Sequence, residues 1–166
     1  MNSIFYFSYG SNMSSRRLQH RISKVKVVGV GWLEKHKLEF HKKSHDGSAK
    51  CDAYYVGDSR YSVYGVVFKV TASQLLLLDE YEGLGKGYEQ KTIQIITQNS
   101  GIITAVTYYA TDIDSSIKPY QWYKEHVLQG AKEHNLPKDY IDKIRGIGVI
   151  PDPNTKRHQD ELIIYQ

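Results

Sequence analysis

Two stretches of the chain hold residue types that could do chemistry together. Tyr9-Gly10-Ser11-Asn12 closes an aromatic run, Phe5-Tyr-Phe-Ser-Tyr9, with small residues that favour turns and helix starts. Gly10 permits backbone angles forbidden to a side chain, and the N–H groups that follow can then converge on a carboxylate or a developing oxyanion. An ordinary capped turn would use the same residues. The second stretch, LLLLDEYEGLGKGY from Leu75 to Tyr88, places Asp79, Glu80 and Glu82 at the carboxyl end of an expected helix. The helix macrodipole already presents negative charge there, so each acid is disfavoured by roughly 0.3–1 kcal/mol. Three such acids within four positions point to a use. A carboxylate held among acids and partly desolvated has a raised pKa and can take and return a proton near neutral pH. A solvated acidic helix end is the alternative.

Other groups offer less. His41-x-x-x-His45 with Asp46 has a helical metal-binding spacing but falls in an expected loop with no fourth ligand. Cys51 has no identifiable partner base and reads as packing. The three residues Gly29 to Gly31 are too few for a nucleotide site, and neither a P-loop lysine nor a dinucleotide glycine spacing is present. The tyrosines could stack bases, yet most fall at strand positions where packing explains them. Between Ser15 and Lys50 there are ten Lys and Arg against three Asp and Glu. Such a segment serves a phosphate-binding surface or a solvated face equally well.

The elements that must position these residues follow from pattern. Ile4–Tyr9 reads as a buried first strand, with a short helical turn over Arg16–Gln19 after the cap residues Ser14 and Ser15. Val25–Val30 and Trp32–Phe40 read as successive strands parted by Gly29 and Gly31, and His41–Ser48 as a loop. Ala53–Val56 and Val63–Val70 are strand-like, with Gly57-Asp58-Ser59 turning between them. Thr71-Ala-Ser-Gln74 matches a capping box, so a helix begins near Ala72 and stops at Gly83. Tyr88–Thr97 and Gly101–Ala110 are two more strands around Gln98-Asn99-Ser100. Tyr123, Val127, Leu128 and Ala131 keep helical spacing, Asn135-Leu136-Pro137 interrupts it, and a last helix runs to about Ile147. The tail from Gly148 to Gln166 is weakly patterned.

Strands come first and helices gather late without βαβ alternation, which favours an α+β domain with a mostly antiparallel or mixed sheet. At 166 residues, with 40% hydrophobic and 24% charged residues, one domain is expected over residues 1–148, followed by a tail over 149–166. No apolar run approaches the roughly 20 residues that span a bilayer. The start MNSIFYF lacks a secretory pattern and Cys51 is alone, so a soluble cytoplasmic protein without disulfides is expected.

The order of these motifs carries a resemblance. A strand entering Tyr-Gly-Ser-Asn, then VYGVVFKV, then LDEYEG with Gly-x-Gly-Tyr88 close behind, is similar to the gamma-glutamylcyclotransferase family. WYKEHVLQGAKEHNLPKDYIDKI, Trp122 to Ile144, resembles the Tyr, Gly-Ala and Leu-Pro-x-x-Tyr pattern of its glutathione-pathway branch. The likeness covers nearly all of residues 4–147. It implies a compact mixed β-barrel flanked by helices, with substrate bound by Tyr9, Gly10, Ser11, Asn12 and Tyr88 and with Glu82 as the catalytic acid and base. The implied reaction cyclises γ-glutamyl amino acids or dipeptides to 5-oxoproline and a free amino acid, without metal or other cofactor. The expected partner is that small γ-glutamyl substrate, with neither nucleic acid nor membrane; a homodimer is compatible. The alternatives are an enzyme of γ-glutamyl amines and a non-catalytic binding module on the same fold. Ser8 stands where alanine is common in the family, and Asp52 in a strand region usually small and glycine-rich.

Overall fold

The computed structural model of the chain describes residues 3–166. Five strands close into a mixed barrel in the order β1-β5-β2-β6-β7: β1 (Ile4–Ser8), β2 (Lys26–Glu34), β5 (Ser62–Val70), β6 (Tyr88–Thr97) and β7 (Gly101–Ala110). β1 pairs antiparallel with β5 and parallel with β7, and that parallel contact closes the barrel. β3 (His36–Lys43) and β4 (Ala49–Tyr55) form a separate antiparallel ribbon. Five helices surround the strands: α1 (Ser15–Arg21), α2 (Ala72–Glu82), α3 (Gln121–Glu133), α4 (Lys138–Arg145) and α5 (Thr155–Leu162).

The core takes barrel residues from both faces of the sheet, Phe7 and Val67 on one and Val66 and Phe68 on the other, and extends under α3 through Val127 and Ala131. Each fully buried aliphatic or aromatic side chain contributes about 1.5–3 kcal/mol relative to an exposed one. α3 comes down directly on the chain after β1. A Cβ at Gly130 would stand 2.5 Å from both Met13 Cβ and Ser14 N, so only glycine lets the helix approach the Ser11–Met13 turn so closely.

The capping box forms as the sequence indicates: Thr71 Oγ1 accepts from Gln74 N, and the Gln74 side chain accepts from Thr71 N. Gly83, left-handed at φ 67°, ends α2 one residue after Glu82. Several boundaries differ from the sequence expectation, β4 beginning at Ala49 and not Ala53 among them. Gly29 and Gly31 do not separate strands; β2 runs through both, with a bulge between Val27 and Gly29. At Gly31 a Cβ would meet Ile95 Cγ2 at 2.4 Å, so that glycine serves close strand approach. The chain turns instead at Lys35, φ 62°. Lys42 and Lys43 pair with Lys50 and Ala49 of β4, and His41 bulges between Phe40 and Lys42, so all three belong to β3. The final residues form α5, capped by Asn154, whose side chain accepts from Arg157 N.

Candidate active site

β1 delivers Tyr9 and Gly10 to the end of the barrel, and a 3-10 turn, Ser11–Met13, carries the chain into α1. Met13 N donates to the Gly10 carbonyl and Ser14 N to that of Ser11. Among the described residues, no acceptor faces the N–H groups of Gly10, Ser11 and Asn12. Gly10 sits at φ −112° and ψ −143°, and the position also needs space. A Cβ there would stand 3.2 Å from Cys51 Cβ and 3.4 Å from the Tyr123 hydroxyl.

Tyr9, Gly10, Ser11, Asn12, Glu82 and Tyr88 all line one cavity. Six residues from three separate parts of the chain therefore meet. Tyr6, Phe7, Ser8, Cys51, Thr107, Tyr108 and Tyr123 complete the wall.

The three acids of α2 do not crowd one another. Glu80 is exposed. Asp79 turns to the barrel, accepting from the Tyr108 hydroxyl at 2.6 Å and from the Gln90 amide. Glu82 alone reaches the cavity, and its neighbour is a cation. Arg21 NH1 donates to Glu82 Oε1 at 2.8 Å, and Asn12 Nδ2 donates to the same oxygen at 3.0 Å. No described residue donates to Oε2, which leaves it open to another partner.

Asn12 is the hinge of the arrangement. Because its Nδ2 must donate to the carboxylate and to the Tyr6 hydroxyl, its Oδ1 is fixed as the free atom. That Oδ1 is buried without a hydrogen-bond partner. A buried unpaired acceptor costs about 1–3 kcal/mol, so a donor arriving there binds with advantage.

The remaining ionisable groups of the wall stay protonated. Burial, reinforced by nearby negative charge, holds the hydroxyls of Tyr6, Tyr9, Tyr88 and Tyr123 above the usual tyrosine range. Burial pushes the Cys51 thiol up as well, which removes it as a nucleophile. Several of these groups are already fixed to backbone: Tyr9 Oη donates to the Tyr108 carbonyl at 2.6 Å, Tyr88 Oη to the Cys51 carbonyl at 2.5 Å, and Cys51 N to Tyr123 Oη at 3.0 Å. Glu82 is the one carboxylate in the wall.

The other sequence candidates lie elsewhere. His41 and Asp52 pair at 2.8 Å, and Asp52 also accepts from Ala110 N, bracing the β3–β4 ribbon against the barrel outside the cavity wall. His45 is exposed, and no metal-binding cluster exists among the described residues. Arg21 and Tyr6 went unread in the sequence. Arg21 lies on a short helix far from Glu82 along the chain, with no local pattern to mark it; Tyr123 carried a signal in the Tyr and Gly-Ala motif.

Residues 62–144 match the AIG2-like family. The chain is 33% identical to human gamma-glutamylcyclotransferase over 168 residues, covering 96% of this chain and 86% of that protein. Bovine gamma-glutamylcyclotransferase is also 33% identical, over 153 residues, with 87% of this chain and 79% of the relative covered. A solved structure of a gamma-glutamyl cyclotransferase superposes with a TM-score of 0.83 and 31% identity, over 99% of both chains.

Proposed function

The chain belongs to the gamma-glutamylcyclotransferase family, and from that premise we propose that it cyclises γ-glutamyl amino acids or dipeptides to 5-oxoproline with Glu82 as its proton shuttle. One observation carries the assignment of roles: a single carboxylate, with one oxygen fixed and the other open, shares a cavity with the unpaired Asn12 Oδ1.

The substrate α-amine donates to Asn12 Oδ1 and to Glu82 Oε2. Glu82 takes a proton from that amine, whose lone pair attacks the γ-carbonyl carbon and closes a five-membered ring. The carbonyl electrons pass to an oxyanion and return as the C–N bond to the leaving amine breaks. Protonated Glu82 gives its proton to that leaving nitrogen. Bonds and protons balance within one substrate, so no second reactant is required. The N–H groups of Gly10, Ser11 and Asn12 hold the substrate carboxylate or the oxyanion, and a donor of the latter kind is worth about 3 kcal/mol to a transition state. Because the nucleophile is already part of the substrate, positioning is the main task of the protein. The packed wall containing Tyr9 and Tyr88 supports that role. A lone, buried Cys51 fits a reducing compartment, in line with a cytoplasmic location.

The test is 5-oxoproline release from a panel of γ-glutamyl dipeptides and γ-glutamyl amines, run beside Glu82→Gln. The variant keeps the shape and loses the shuttle, so turnover should fall at least about 100-fold with folding intact. Near-normal turnover in the variant removes Glu82 from its role, and silence of the wild type across the panel removes the reaction.

A further inference from the structure

Lys42 is the least exposed lysine or arginine among the described residues, with 6% of its surface exposed. Its stem is packed away while the ammonium keeps some contact with solvent, where a partner of opposite charge would stabilise it. Lys50, its neighbour across the β3–β4 ribbon, meets that need with Asp46 Oδ2 and Ser48 Oγ, each at 2.8 Å. Lys42 Nζ has no described carboxylate or hydroxyl. It lies over the Tyr88 ring, 4.7 Å from its centroid.

The surrounding backbone is shaped to put it there. A β-bulge at His41 shifts the register between Phe40 and Lys42, and bulges beside active sites re-aim side chains. Gly87, at φ +119°, leaves the room: a Cβ at that position would stand 2.9 Å from Lys42 Cε and 3.1 Å from Nζ. Tyr88 forms part of the cavity wall and holds the Cys51 carbonyl, so the ammonium lies against a wall residue and within Coulombic reach of Glu82.

We propose that Lys42 is an anion subsite for the leaving group, taking the α-carboxylate of the amino acid released by cyclisation and so favouring γ-glutamyl amino acids over γ-glutamyl amines. This rests on the cyclotransferase reading above and adds to it the chemistry of the leaving side. The γ-glutamyl half occupies the Gly10–Asn12 loop and Glu82, so the departing half extends toward the rim, where a carboxylate completes the coordination of an otherwise unpaired ammonium. Burial pulls the Lys42 pKa down, while the nearby charges of Glu82, Asp46 and Asp112 oppose that fall. An incoming carboxylate adds to the second effect.

The test compares γ-glutamylalanine with γ-glutamylethylamine, which differ only by the carboxylate. In the wild type, kcat/KM should favour the carboxylated substrate at least about tenfold, chiefly through KM. Lys42→Met should reduce that ratio to within about threefold, and Lys42→Arg should retain most of it. Lys42→Gln provides a second neutral variant should the methionine protein fail to fold. A wild type without preference, or a neutral variant that keeps the wild-type ratio, overturns the subsite while leaving the reaction in place. A wild type that turns over neither substrate rejects the underlying reaction instead, and the two failures are separate readings of one experiment.

Discussion

Glu82 has two unlike oxygens, and the difference decides what the residue can do. Oε1 receives Arg21 and Asn12, which fixes the plane of the carboxylate; Oε2 is left for the substrate. The Arg21 side chain also covers the Tyr81 ring at 5.2 Å, so it is held from two sides. Arg21→Met should therefore loosen the carboxylate without removing it. We expect kcat to fall about 10- to 100-fold with a smaller change in KM, read by steady-state 5-oxoproline release. A fall in KM affinity alone would mean that Arg21 binds substrate directly and does not position Glu82. At this scale the sequence was legible where a residue broke a local rule, as the acids at the carboxyl end of α2 do. It was not legible for Arg21, whose meaning depends on a fold that brings residues 21 and 82 within 2.8 Å.

At the scale of elements, α2 and α3 are read and tested differently. α2 is defined by local chemistry at both ends, the Thr71–Gln74 box and the left-handed Gly83, which is why its limits could be read from sequence. Removing the cap with Thr71→Ala should cost about 1 kcal/mol in chemical denaturation. Glu82 lies roughly 16 Å away at the other end of the helix, so kcat should hold. α3 is different, because its value lies in what it touches. Gly130→Ala places a methyl group against Met13 and Ser14 and must push the helix from the substrate loop. Overpacking of this kind costs about 1–3 kcal/mol, and here KM should rise together with the loss of stability. A destabilised variant with unchanged KM would show that the loop holds its shape without α3. The elements misread in the sequence share a cause. Gly29 and Gly31 resemble turn residues, yet they serve a bulge and a close strand contact, while His41 to Lys43 look like loop until β4 pairs with them. Both depend on partners distant in the chain.

Across the whole molecule, the last residues return to the first functional loop. Arg17 donates to Ser11 Oγ through Nε at 3.1 Å, and its NH1 lies 2.5 Å from Glu161 and 3.0 Å from His126 Nε2. Tyr165 lies 2.7 Å from His126 Nδ1 and donates to Ser14 Oγ at 2.8 Å. α5 has no buried residue of its own, so no apolar pattern announced it; ion pairs and hydrogen bonds to α1 and α3 hold it. Those bonds make its docking sensitive to acid. Burial, then the Arg17 and Arg21 charges, lower His126 from 6.5 to about 4, against the raising effect of Glu161. Burial raises Glu161, but the hydrogen bond from His126 and the Arg17 charge outweigh it and hold the carboxyl down at about 2, below its usual 4.5. For both groups the unfolded chain binds protons more readily than the folded one, so stability rises with pH in each window. The His126 contribution is lost as pH falls from 6.5 toward 4, and that of Glu161 as pH falls from 4.5 toward 2. His126→Gln has no ring to protonate, so its Tm should decline less than that of the wild type between pH 7 and pH 4. The difference between the two curves isolates His126 from the other histidines. Parallel curves would mean that protonated His126 is accommodated by Glu161 at no cost, and α5 would then keep its grip on the substrate loop through mild acid.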